Sequence, residues 1–276
     1  MKIVYFGSDV FLPCFRYLAE RDEILALYTY HNDEDYFSDH LIVREAKNRG
    51  IPVFYGRISE SRVRSFFNEE SCDLFFSAEY GYIIPVPEDI ESFRGLNIHS
   101  SSLPAGRGYY PIEGAMERGL TETGVTMHKI RQKPDTGDIL FKEPIAISPD
   151  MDSVDVYLES SRLALLMTKR LFGDFDKFWY AATVQDLSGE RWMKPAENLR
   201  VLSHEMTTDE VMSVYRRFNQ MTLIDIGGKL HHVMGVEPGR SSLLEPEIEV
   251  STDRLLYGTA DGHVRLTVLT KLENTR

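Results

Sequence analysis

The residues with the most chemical promise lie in one stretch, 95–111, which reads GLNIHSSSLPAGRGYYP. Leu96-Asn97-Ile98-His99 alternates apolar and polar side chains as a strand does, so Asn97 and His99 share a face two residues apart. At the carboxyl end of a parallel strand, such side chains point into the crevice where open α/β sheets bind ligands. Residues 100–108 then make a polar loop with glycine, proline and one arginine, Arg107. A second loop, Arg131-Gln132-Lys133-Pro134-Asp135-Thr136-Gly137-Asp138, follows a strand-like run at 125–130. An asparagine, a histidine and a carboxylate together suit acyl transfer to an amine. That reaction develops an oxyanion, to which an Asn amide and an imidazolium both donate. A carboxylate can hold the histidine charged or relay the amine's proton through water. The amine itself attacks, so no side-chain nucleophile is required. Taken alone, Asn-x-His and Asp-Thr-Gly-Asp more often mark turns and caps.

These loops need a scaffold, and the first half of the chain supplies the pattern for one. Strand-like runs at 2–6 (KIVYF), 24–28, 53–54 and 74–77 alternate with helical patterns through Phe15 and Leu18, at 41–48 and at 61–67. That alternation predicts parallel βαβ units and a doubly wound, mostly parallel sheet of the Rossmann-like kind. Ser153 opens a further helix that ends near Gly173. The first domain is expected over 1–190. Residues 188–198, with Gly189, Pro195 and several charges, read as a linker. A short helix is expected at 208–219 with Thr208 as its N-cap. Short apolar runs broken by turn residues follow, and Asp261-Gly262 between 255–257 and 264–269 predicts a hairpin. Residues 203–276 therefore read as a small, barrel-like β domain.

Composition narrows the setting. The chain has 276 residues, 42% of them apolar, and its longest apolar stretches are too short to span a bilayer. The N-terminus goes straight into a strand pattern without the features of a signal peptide. Two cysteines, Cys14 and Cys72, imply no disulfide framework, and a cytoplasmic location with no membrane partner is expected. Proteins that grip nucleic acid draw much of their affinity from Lys and Arg, and a formal net charge of −12 lacks that bias. No Cys/His cluster has ligand spacing. His231 and His232 are adjacent and point to opposite faces of a strand, so no metal is expected. Gly7-Ser8-Asp9 after the first strand lacks the spaced glycines of a dinucleotide fingerprint.

The motifs resemble those of the folate-dependent formyltransferases. The likeness runs through Tyr80-Gly81-Tyr82-Ile83-Ile84-Pro85, Gly95-Leu96-Asn97-Ile98-His99, Ser101-Ser102-Leu103-Pro104 and Arg107-Gly108. It continues in Glu122-Thr123-Gly124-Val125-Thr126 and Asp135-Thr136-Gly137-Asp138-Ile139-Leu140. The resemblance implies catalytic roles for Asn97, His99 and Asp135, and N10-formyltetrahydrofolate as donor. It places the pterin near Tyr80, Tyr82, Ile84, Arg131, Lys133 and Asp135, and beside the Ser101-Ser102-Leu103-Pro104 loop. In that loop Ser102 replaces the usual leucine. It implies that Ser8, Asp9, Arg107 and Tyr109 lie toward the acceptor. Tyr109 and Tyr110 suit flanking the folate or stacking on a base, and equally suit packing at a helix start before Pro111. His128 matches a histidine of some relatives, and local packing explains it as well. The resemblance also suggests a homodimer.

The acceptor is open at this stage. From residue 203 onward there are 8 Lys or Arg against 11 Asp or Glu, a net of −3 (8 − 11), which is poor for a phosphate-rich partner. Length, acidity and domain plan favour a nucleotide-linked amino sugar over methionyl-tRNA, and so a small-molecule acceptor with no nucleic-acid partner. Another small amine, or a non-catalytic folate- or nucleotide-binding protein, are the alternatives. His99 suits two roles, imidazolium donor or neutral base.

Overall fold

The computed structural model describes residues 1–30, 41–238 and 254–269. In chain order the first unit carries β1 (Lys2–Gly7), α1 (Leu12–Arg21), β2 (Glu23–Thr29), α2 (Leu41–Asn48), β3 (Val53–Tyr55), α3 (Glu60–Asn68), β4 (Leu74–Ala78), β5 (Gly95–His99), β6 (Arg107–Gly108), α4 (Pro111–Glu117), β7 (Glu122–Lys129), β8 (Ile139–Ala146), α5 (Ser153–Leu171), α6 (Phe175–Tyr180) and β9 (Arg191–Trp192). A second unit carries β10 (Val201–Leu202), α7 (Thr208–Phe218), β11 (Leu223–Ile226), β12 (Lys229–Pro238), β13 (Arg254–Thr259) and β14 (Gly262–Leu269). By contacts, the first unit comprises 1–115, 120–147 and 156–193, and the second the remaining residues.

The seven-stranded sheet of the first unit runs β3-β2-β1-β4-β5-β7-β8. Pairs from β3 to β5 are parallel, while β5–β7 and β7–β8 are antiparallel. The mostly parallel α/β reading is borne out. The continuous runs VYFG of β1 and LFFSA of β4 are buried throughout, because helices cover both faces of a parallel sheet. An aromatic core packs one face, with ring centroids 5.0 Å apart for Phe6–Phe75 and 4.9 Å for Phe67–Phe75. Strand order reverses between β1 and β4, so a crevice opens at their carboxyl ends. Gly7 sits at that switch point, where a Cβ would meet the Ala78 carbonyl oxygen at 2.3 Å.

Three local readings need correction. Part of the expected linker 188–198 is β9, which pairs in parallel with β6. Its alternate signals, Gly189 and Pro195, flank a strand too short to show a period. The cap of α7 is Thr207, not Thr208. Thr207 Oγ1 accepts from Glu210 N–H and the Glu210 carboxylate accepts from Thr207 N–H, a complete capping box. The hairpin turn lies one residue earlier than expected, because Gly262 already pairs with Thr259.

In the second unit, a five-stranded sheet in the order β10-β11-β12-β14-β13 packs Ile224, Val233, Tyr257, Val264 and Leu266 against Val211, Val214 and Phe218 of α7. His231 and His232 pair with Ile224 and Leu223 and so face opposite ways. Among the described residues no helix is long and apolar enough to cross a membrane. Among them, too, no group of three or more potential ligands could hold a metal.

Candidate active site

The carboxyl ends of the central strands bring the expected groups together. Asn97 and His99 end β5, between β4 and β7, with Asn97 paired to Ser77 on one side and His128 on the other. The His99 ring is nearly buried, and its Nε2 lies 2.8 Å from the Gly106 carbonyl oxygen. A carbonyl only accepts, so Nε2 carries the proton and Nδ1 is the nitrogen left for chemistry. Nδ1 faces Asp135 Oδ1 at 3.8 Å. The other carboxylate oxygen, Oδ2, accepts from Gly108 N–H at 3.1 Å.

Asn97 is oriented by a second histidine. His128 Nδ1 lies 2.9 Å from the Lys129 carbonyl oxygen, so Nδ1 holds the proton and Nε2 is a bare acceptor. Asn97 Nδ2 donates to that Nε2 at 3.1 Å. This bond settles which end of the amide faces His128 and leaves Nδ2 a second N–H. His128 is buried, and desolvation pushes its pKa down to about 4, with the Asp135 charge opposing. It stays neutral across the working pH range.

The loop around Asp135 is tightly built. Asp135 adopts φ +58°, which side chains seldom adopt outside turns and functional sites. At Gly137 a Cβ would fall 1.8 Å from the Lys129 carbonyl oxygen, so only glycine fits. On the other flank, Glu79 follows β4 with φ +59°, and burial pushes its carboxyl up while the His99 ring opposes. Glu113 of α4 is completely buried, and its pKa is pushed up to about 7, chiefly by desolvation. Tyr157 of α5 donates to it at 3.3 Å. Sequence reasoning missed Glu79 and Glu113. The one signal for Glu113 was a carboxylate set among Ile112, Gly114 and Ala115.

Several expected contacts are taken by the protein itself. Both carboxylate oxygens of Asp9 accept from the first N–H groups of α2, Leu41 and Ile42, at 2.8 Å each. In the structure that residue serves as a cap supplied from afar. Arg107 is buried, and its Nη2 donates to the carbonyls of Leu187, at 3.0 Å, and Gly189. That nitrogen is engaged by the 187–189 backbone. Ser101 Oγ donates to Ala105 O at 2.8 Å, Ser102 Oγ to Thr123 O at 3.1 Å, and Leu103 is fully buried. These side chains shape the loop, which includes a cis Leu103–Pro104 bond. Ser8 is buried after β1. Tyr109 is half exposed, with the Arg191 guanidinium 5.4 Å from its ring centroid.

The proposed pterin region is aromatic. Tyr80 and Tyr82 lie 5.4 Å apart and Tyr30 lies 5.7 Å from Tyr82, with Arg57 5.6 Å from the Tyr82 ring. Tyr80 donates to the Gly56 carbonyl at 2.5 Å, and the Ile84 side chain belongs to the core. Arg131 and Lys133 are exposed, Arg131 bonding Asp138 at 3.0 Å. Flat rings beside irregular backbone fit a planar, amide-edged ligand.

Comparison with known proteins agrees with this geometry. Residues 43–164 match the formyl transferase family. The methionyl-tRNA formyltransferase of Hydrogenobaculum sp. (strain Y04AAS1) is 25% identical over 100% of this chain and 94% of its own length. That of Xanthomonas euvesicatoria pv. vesicatoria is 34% identical over 53% of this chain, which spans only 50% of that relative. Among solved structures, HypX from Aquifex aeolicus in complex with tetrahydrofolic acid has a TM-score of 0.66 at 18% identity, covering 96% of this chain and 43% of that one. The N-formyltransferase from Helicobacter canadensis, in complex with folinic acid and dTDP-3-aminofucose, has a TM-score of 0.61 at 18% identity, covering 97% and 98%. These structures share the fold. Over residues 43–164 the chain is similar to the formyl transferase family. It is a formyl-transferring enzyme, and the donor of that family is N10-formyltetrahydrofolate.

Proposed function

We propose that this chain transfers a formyl group from N10-formyltetrahydrofolate to the amine of a nucleotide-linked amino sugar, using Asn97, His99 and Asp135. The observation that carries the chemistry is the convergence of these three side chains at one strand end, with Asp135 facing His99 Nδ1. The folate supplies an activated formyl carbon, and Tyr80, Tyr82, Lys133 and the backbone beside them would hold it. Asn97 donates its remaining Nδ2–H toward the oxygen on which negative charge develops. As the amine nitrogen bonds to the formyl carbon, neutral His99 takes its proton at Nδ1, and Asp135 stabilises the resulting imidazolium. The carbon–N10 bond then breaks, and His99 returns a proton to the leaving nitrogen. The Nε2–Gly106 bond holds the ring in the tautomer that this base role requires.

The acceptor reading is supported by charge. The chain is acidic overall, and from residue 203 onward its net charge is −3, so no basic surplus favours a tRNA backbone. Methionyl-tRNA is the second reading, favoured by the relative that aligns along the whole chain. Release of tetrahydrofolate with each of three acceptors tests both: a dTDP-linked 3-amino sugar, initiator methionyl-tRNA and glycinamide ribonucleotide. Turnover with the sugar nucleotide is expected. Turnover with methionyl-tRNA alone overturns the acceptor, and an Asn97→Ala enzyme as fast as wild type overturns the site.

A further inference from the structure

Residues 183–192 cross beneath both loops that carry the chemistry. At one end Thr183 bridges to Ile139, with backbone bonds of 2.8 and 2.9 Å. Next, Gln185 turns inward and is nine-tenths buried. Its Nε2 donates to the Gly137 carbonyl at 2.5 Å and to the Asp135 carbonyl at 3.3 Å. Further on, the carbonyls of Leu187 and Gly189 accept from Arg107, which lies on the His99 loop. At the far end Arg191 and Trp192 pair with Arg107 and Gly108, and the Trp192 carbonyl accepts from Tyr109 N–H at 3.2 Å. Trp192 packs so closely that a Cβ at Gly106 would lie 3.2 Å from its ring, and one at Gly108 would lie 2.1 Å from its carbonyl oxygen.

The contacts form a ring. His99 donates to Gly106, and Gly106 is followed by Arg107 and Gly108, which the segment holds. The same segment holds Asp135 through Gln185, and Asp135 returns to Gly108 and to His99. The His99–Asp135 distance of 3.8 Å is thus the gap in a loop closed by 183–192. We propose that this segment is a positioning strap for catalysis, and that Gln185 is a positioning residue that sets Asp135 against His99. The inference rests on the catalytic roles proposed above. A carboxylate that orients or stabilises an imidazolium does so only at short range, and a misplacement of about 1 Å costs on the order of 10²-fold in rate. The bonds from Gln185 grip the carbonyl of the left-handed Asp135 itself and that of Gly137 two residues on, so the donor holds the backbone that carries the carboxylate. Among the described residues Gln185 Oε1 is buried without a hydrogen-bond partner, so the amide's bonds here are the two that its Nε2 donates to the Asp135 loop.

The test is a double-mutant cycle on the full chain. Tetrahydrofolate release is followed with a dTDP-linked 3-amino sugar, or with initiator methionyl-tRNA if that is the acceptor. Gln185→Leu keeps bulk and removes both donors. It is expected to lower kcat by about 10- to 100-fold with the folate KM within about twofold. In an Asp135→Asn background the same substitution should cost less than about threefold, because the group it positions is already disabled. Arg107→Lys, which loosens the other half of the ring and keeps a charge, should show the same non-additivity at smaller amplitude and serves if Gln185→Leu fails to fold. Equal losses in both backgrounds, or full kcat with only a lower melting temperature, overturn the strap's role. Unimpaired Asp135→Asn turnover would instead overturn the catalytic reading beneath it.

Discussion

Glu113→Gln should stabilise the protein at alkaline pH and do little in acid. The carboxyl is fully buried, 3.3 Å from the Tyr157 hydroxyl that donates to it, and its pKa is pushed up from 4.5 to about 7. In the folded chain it therefore stays protonated up to about pH 7, while in the unfolded chain it ionises near 4.5. A raised folded pKa contributes stability that is fully present below 4.5 and is lost as pH rises through about 7. A shift of about 2.5 units at about 1.36 kcal/mol each makes the full loss about 3 kcal/mol. Glutamine is isosteric, cannot ionise and offers Tyr157 the same carbonyl acceptor. The variant should gain about 1 kcal/mol over wild type at pH 5 and about 3 kcal/mol at pH 8. Urea unfolding followed by tryptophan fluorescence measures this, since both tryptophans, Trp179 and Trp192, lie in the first unit. A gain equal at the two pH values would refute the reasoning. So would a loss at pH 8, which would mean that Glu113 is ionised in the fold and held by a cation.

Asn97→Ala should lower kcat by about 10²–10³ with little change in folate affinity, as for loss of one oxyanion donor; steady-state kinetics with equilibrium folate binding separates the two. His128→Phe should act in the same direction through Asn97, with a loss of about tenfold or more in wild type; unchanged kcat would show that Asn97 needs no orienting partner. Asp9→Ala should destabilise the first unit by about 1 kcal/mol, the usual cost of an N-cap, while leaving kcat within about twofold; a selective rise in acceptor KM would restore Asp9 to the binding site.

What could be read from the sequence was whatever depends on neighbours along the chain. β1 and β4 were legible because a strand covered on both faces needs an unbroken apolar run, and VYF and LFF supply one. Asn97 and His99 were legible as a pair because a strand's period of two places them on one face. The bonds that escaped notice join residues far apart. Asp9 caps a helix 32 residues away, Arg107 reaches 80 residues to Leu187, and Gln185 reaches back 50 to Asp135. No local pattern encodes such partners, so a charged residue near a crevice reads from the sequence as a ligand contact while its intramolecular bonds stay hidden. Glycine misled in the same way. Gly189 signals a break, yet its carbonyl is one of two that Arg107 grips, so a turn residue that looks like a boundary is a tether. The same distinction explains why the chemistry was easier to find than its support. Catalytic side chains must converge at strand ends, which the periodicity marks. The residues that hold them need only a carbonyl within reach, and any folded segment can offer one. The strap at 183–192, whose last residues composition reads as the start of a linker at 188–198, is therefore where substitutions should alter rate without touching a ligand.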